Sequence, residues 1–155
     1  MSPTAHVEAI FLFPVKGGAP VRHPSACAVA GRGLDGDHHQ SPATLFGIDH
    51  EPENQLTLIR AEALEALARD QGRPLPPGAS RRNLVTRGVD LNALVGRTFR
   101  IGAVRARGCE RCDPCSHLED LTRPGVLRGL VDRGGLRAEI LSDGEIHEGD
   151  PIVVE

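Results

Sequence analysis

The stretch Gly108-Cys109-Glu110-Arg111-Cys112-Asp113-Pro114-Cys115-Ser116-His117-Leu118 places three of the chain's four cysteines at a constant spacing of three residues. Thiolates are soft ligands and strong nucleophiles, so such a cluster points to metal, redox or sulfur chemistry. A buried cysteine also serves as a small hydrophobe. That role suits one cysteine better than three sharing a polar segment with Glu110, Arg111, Asp113 and His117.

Other groups with chemical capacity lie elsewhere in the chain. Lys16 is the sole lysine, the other 17 of 18 basic residues being arginine. It sits in Pro14-Val15-Lys16-Gly17-Gly18, a turn whose glycines let backbone amides approach a ligand, which makes it a candidate amine or phosphate partner. Gly31 to His39 is a polar, glycine-rich loop with two aspartates and two adjacent histidines. It reads equally as a binding edge or as a solvated turn. Arg81-Arg82-Asn83 brings paired guanidinium groups to the head of a strand, where bidentate forks suit phosphate or carboxylate. Two solvated charges are the alternative.

Spacing narrows what the cysteines do. Cys109, Cys112 and Cys115 match the first three positions of a ferredoxin run, but residue 119 is Glu where the fourth cysteine belongs. Structural zinc uses two separated ligand pairs, and a closed cage within so short a segment would be strained. A dithiol redox pair lacks the accompanying βαβ pattern. What remains is one thiolate acting as ligand or sulfur carrier, served by an anion pocket that Lys16, His38, Arg81 and Arg60 could supply. Lys16 as a Schiff-base partner of pyridoxal phosphate is disfavoured, because no aspartate or aromatic neighbour is evident for the ring.

The elements that must position these groups are mostly short strands. The 155 residues, 39% hydrophobic and 25% charged, suit a single domain over 1–155 with its own core. A net charge of −3 without a basic tract argues against nucleic acid, and four Phe with no Trp or Tyr cannot build base-stacking platforms. No apolar run is long enough to span a membrane, and Met1 to Ile10 show no signal-peptide pattern, so a cytoplasmic, reduced setting is expected.

Alternation predicts strands at His6–Phe13, Ser25–Val29, Gln55–Ile59, Thr98–Ile101, Ala103–Ala106, Leu136–Leu141 and Pro151–Val154. Ser41 to Glu53 reads as a loop, and Asp143-Gly144 as a hairpin turn. Helical period appears at Ala61–Asp70, closed by Gly72 and the prolines at 74, 76 and 77. Short helices are expected at Leu91–Val95 and Pro124–Asp132, and Gly134-Gly135 as a turn. The fold class is mixed β with short helices: a β-barrel-like domain with one clear helix near 61–71.

Taken in order, the motifs FPVKGG (Phe13 to Gly18), GLDGDHH (Gly33 to His39), QLTLIRAEAL (Gln55 to Leu64), RRNLVTRGVDLNALVGRTFRIG (Arg81 to Gly102), PCSHLE (Pro114 to Glu119) and RGGLRAEILSDGEIHEGDPI (Arg133 to Ile152) resemble the MOSC domain, named after the C-terminal part of molybdenum cofactor sulfurase. The small stand-alone bacterial members are the nearest in form. The resemblance implies a molybdenum cofactor (molybdopterin), with Cys115 as the metal-ligating or sulfur-carrying thiolate. It implies cofactor contacts by Lys16, by Arg81 and Asn83 of an R-x-N motif, and by His38. The amidoxime-reducing enzymes of the family carry arginine at the position of His38, and the family carries a serine or threonine at that of Arg60.

The activity implied is reduction of N-hydroxylated compounds or sulfur transfer. The alternative is a non-catalytic carrier of cofactor or persulfide sulfur delivering to a partner enzyme. With no flavin, iron–sulfur or haem module, a reductase of this kind draws electrons from a partner protein. Sulfur transfer needs a donor or acceptor enzyme.

Overall fold

The computed structural model describes residues 4–38 and 55–155. The loop reading of Ser41–Glu53 and residue His39 lie outside the described residues. Among the described residues, eleven strands and three α-helices follow the order β1 (His6–Leu12), β2 (Val21–His23), β3 (Ser25–Val29), β4 (Gly33–Leu34), β5 (Leu56–Arg60), α1 (Ala61–Gln71), β6 (Leu84–Arg87), β7 (Thr98–Ile101), β8 (Val104–Arg111), α2 (Ser116–Leu121), α3 (Val126–Gly129), β9 (Leu136–Ile140), β10 (Gly144–His147) and β11 (Ile152–Val154). A 3-10 turn at Leu91–Leu94 stands where a short helix was expected.

The strands form an eight-stranded sheet in the order β11-β7-β8-β9-β5-β6-β1-β2 and a three-stranded sheet β10-β3-β4. The large sheet curls towards closure. His6 bridges Pro151, and the amides of Val7 and Ile152 donate to the carbonyls of Asp150 and Ala5 at 2.9 and 2.8 Å. This stitches β1 to the start of β11, from opposite ends of the chain, and gives the barrel-like form expected from the many short strands.

Period-two alternation divides the apolar residues between two cores. Val7, Ile10 and Leu12 of β1, Leu56 and Leu58 of β5, and Phe99, Ile101, Leu136 and Ile140 fill the inside of the curl. Ala9, Phe11 and Phe13, with Ile59 and Val85, face outward onto Leu67 of α1, Leu118 of α2, and Val126 and Leu130. The uneven step from Val7 to Ile10 is absorbed by a bulge between Val7 and Ala9 where β1 pairs with β6. Parallel β5 and β6 are joined across α1, whose end is set by Gly72 in the left-handed region at φ 74°.

Two local readings change. The Asp143-Gly144 hairpin does not form: β9 stays in the large sheet, while β10 crosses to pair with β3. The strand expected to end at Ala106 runs on to Arg111, because β9 pairs with it across a bulge between Gly108 and Glu110. Ser116–Leu121 is helical.

Candidate functional site

A cleft of about 190 Å³ opens where the turn after β1, the loop after β4, the start of β6 and the segment after β8 meet. Lys16, His38, Arg81, Asn83 and Cys115, all singled out from the sequence, line it together. Arg60 does not. It ends β5 and leads into α1. Cys109 sits half-buried in the β8 bulge, and exposed Cys27 lies on β3 beside a different cavity.

One wall is built on the Pro14–Gly18 turn. Arg81 donates from Nη1 to the Gly18 carbonyl at 2.7 Å, and its guanidinium stacks 4.6 Å over the Phe13 ring. The turn is thus pinned to the chain entering β6, with Lys16 exposed at the rim. Behind it, buried Asp37 accepts from the Phe13 amide at 2.8 Å and from Asn83 Nδ2 at 3.2 Å, orienting the loop amide. His38 binds the Phe13 carbonyl through both its amide (2.8 Å) and Nδ1 (2.9 Å).

Asn83 holds these pieces together. Its Oδ1 accepts from the Thr57 amide and hydroxyl, and its Nδ2 donates to the Phe11 carbonyl as well as to Asp37. The Thr57 hydroxyl in turn accepts from the Asn83 amide at 3.0 Å. With both amide hydrogens and the oxygen occupied, Asn83 fixes the wall.

The opposite wall carries the thiols. Arg82, only 8% exposed, donates to the carbonyls of Gly134, Ser80 and Cys112 at 2.9, 3.3 and 3.2 Å. Burial pushes its pKa down, an effect opposed by the nearby Cys112, Cys115 and Asp113 and reinforced by the charge of Arg137. Cys112 is 1% exposed and held by its amide to the Gly135 carbonyl at 2.8 Å. Cys115 is exposed and stands as the N-cap of α2. A Cβ on Gly134 would meet the Cys112 carbonyl at 2.5 Å and the Pro114 ring at 2.7 Å, so this turn must be glycine to sit against the cysteine segment. Arg137 on β9 lies opposite Thr57 in register and completes the wall.

Arg82, Arg137, Thr57 and Phe13 were not selected from the sequence as site residues. The Arg-Arg pair was visible, but neighbours in an extended chain normally point to opposite sides. At Arg81 a left-handed φ of 60° breaks that alternation, and both guanidinium groups reach the cleft. Nothing local marks Arg137, whose long-range register against β5 places it.

Among the described residues, no three His, Cys, Asp or Glu side chains converge to hold a metal ion. The exposed donors that line the cleft beside the cations are thus the Cys115 thiol and the His117 imidazole, a sparse set that fits a metal bringing most of its ligands on an anionic cofactor. A family model described as the MOSC domain matches residues 35–153. The chain belongs to the MOSC domain family. Such domains generally bind the molybdenum cofactor. The YuaD protein from Bacillus subtilis shares the fold at 20% identity and a TM-score of 0.76, over 98% of this chain and 96% of that one. YiiM from Geobacillus stearothermophilus matches at 17% and 0.70, over 97% of this chain and 75% of that one. YiiM from Escherichia coli matches at 16% and 0.65, over 99% and 70%. No curated protein matches the sequence. Among the described residues of this MOSC chain, no helix is long and apolar enough to cross a membrane.

Proposed function

We propose that this MOSC domain binds the molybdenum cofactor in the cleft, with Cys115 as the thiolate ligand, and acts as a reductase of N-hydroxylated compounds or as a sulfur-transfer protein. The observation that carries this reading is the meeting of Cys115 with Lys16, Arg81 and Arg82 in one cleft. When bound, the cofactor supplies a metal centre able to exchange electron pairs with a substrate. The chain's own residues bind and orient it. Lys16 and Arg81 hold the terminal phosphate, beside the amides of the Pro14–Gly18 turn. His38, tied to the Phe13 carbonyl, and Asn83 line the cleft where that phosphate would sit, and Asn83 with Asp37 also keeps the wall in place. Cys115 presents its sulfur from the opposite wall, and Arg82 sets a positive charge beside it. An electron-donor protein, or a sulfur donor or acceptor enzyme, completes either activity.

Protein purified from a host that makes the cofactor should carry molybdenum and pterin together. Cys115→Ser should lose the molybdenum, and unchanged metal content in that variant overturns the ligand assignment. The exposure of Cys115 also favours a second reading, a carrier of cofactor or persulfide sulfur. Turnover of an N-hydroxylated purine or an amidoxime with an artificial electron donor selects the reductase. A persulfide on Cys115 without turnover selects the carrier.

A further inference from the structure

The cleft holds more positive charge than one phosphate requires, and the charge is divided. Lys16 and Arg81 belong to the turn-and-loop wall, where Arg81 interacts with Asp37 and Gly18. Arg82 and Arg137 belong to the thiol wall, where Arg82 feels the charge of Arg137. Arg82 is buried, yet its three hydrogen-bond partners are all backbone carbonyls, and among the described residues no carboxylate bonds to it, Asp113 acting only through space. Three carbonyls use three of the five guanidinium hydrogens and leave the charge without a bonded counter-ion. A buried charge without a bonded counter-ion is costly, so its retention in the wall of an open cleft calls for an anionic partner. Arg137 adds a second guanidinium whose nearest carboxylate, Glu110, stands 3.7 Å away on an exposed side chain. That contact is beyond hydrogen-bonding reach and is easily exchanged.

We infer that Arg82 and Arg137 form a second anion subsite beside Cys115, which receives an oxyanion group, carboxylate or phosphate, of the substrate. This rests on the reading above, in which Lys16 and Arg81 take the cofactor's phosphate. Substrates of this MOSC domain then carry a negative charge at the end that lies against β9, next to the reacting thiol wall.

The test counts inorganic phosphate bound to the full chain by calorimetry, with and without cofactor. The cofactor-free chain should bind two equivalents: Arg137→Gln removes one, Lys16→Ala the other. The cofactor-loaded chain should bind one, weakened at least tenfold by Arg137→Gln. Arg82→Lys, which keeps the charge but loses the fork, should weaken the same site. If the loaded chain binds none, Arg82 and Arg137 belong to the cofactor's own grip and the inference is overturned, while cofactor binding stands. A single site in the free chain, lost in Lys16→Ala and kept in Arg137→Gln, overturns it as well. Two sites in the free chain together with no cofactor uptake from a competent host would keep the subsite and sink the cofactor reading instead.

Discussion

Arg81 carries both a backbone cost and a functional contact. Its φ of 60° lies in the left-handed region, which for a residue with a Cβ costs roughly 1–3 kcal/mol when the surroundings enforce it. Arg81 keeps a guanidinium between Phe13 and the Gly18 carbonyl at that cost. The two contributions separate experimentally. Arg81→Ala removes the guanidinium and leaves the strain, whereas Arg81→Gly removes both. Chemical denaturation should find the glycine variant more stable than the alanine variant by about 1 kcal/mol. Both variants should bind phosphate equally poorly at the Lys16 wall. Equal stability would mean the backbone is unstrained, and undiminished binding would remove Arg81 from the site. The neighbouring Asn83 shows the opposite economy, since every polar atom of its side chain is used inside the wall.

At the scale of elements, the cysteine segment is positioned by a turn more than 20 residues downstream, counted from Cys112 to Gly134. The Gly134 carbonyl accepts from Arg82, the Gly135 carbonyl accepts from Cys112, and the missing Cβ of Gly134 leaves room for Cys112 and Pro114. Gly134→Ala should therefore push the segment outward and destabilise the fold by about 1–3 kcal/mol, as overpacking does. A sharper readout is thiol labelling. In the parent protein exposed Cys115 should react fast and buried Cys112 slowly. In Gly134→Ala the Cys112 rate should rise several-fold, and an unchanged rate would show that the turn does not clamp the segment.

These elements also mark the limit of what the sequence showed. Ser25–Val29, Thr98–Ile101 and the helix from Ala61 were legible because their periodicity is local. So was the set Lys16, His38, Arg81, Asn83 and Cys115, through motifs in register with the MOSC family. The extension of β8 through Cys109, and the crossing of β10 to β3, depend on partners far along the chain. The same holds for Arg137, because register is a tertiary property.

At the scale of the molecule, the cleft draws on residues from Phe13 to Arg137, and the sheet that carries them is stitched between β1 and the start of β11. No single segment holds more than part of either anion wall, so the binding surface exists only once the sheet has curled. Anions that bind here should then bind the folded chain and not the unfolded one. At about 100 times the dissociation constant, such linkage is worth about 2.7 kcal/mol, or a rise in melting temperature of roughly 5–10 °C for a chain of this size. Phosphate also strengthens burial without any site, by exclusion from the surface. The comparison that isolates the site is Lys16→Ala combined with Arg137→Gln, two side chains outside the hydrophobic cores. Urea titrations in phosphate should raise the midpoint of the parent protein beyond that of the double variant, with the slope unchanged, as expected if the cleft opens only on global unfolding. A reduced slope or a biphasic transition in phosphate would instead mean that the walls come apart before the barrel-like sheet does. An identical rise in parent and double variant would leave only the solvent effect and remove both walls as binding surfaces.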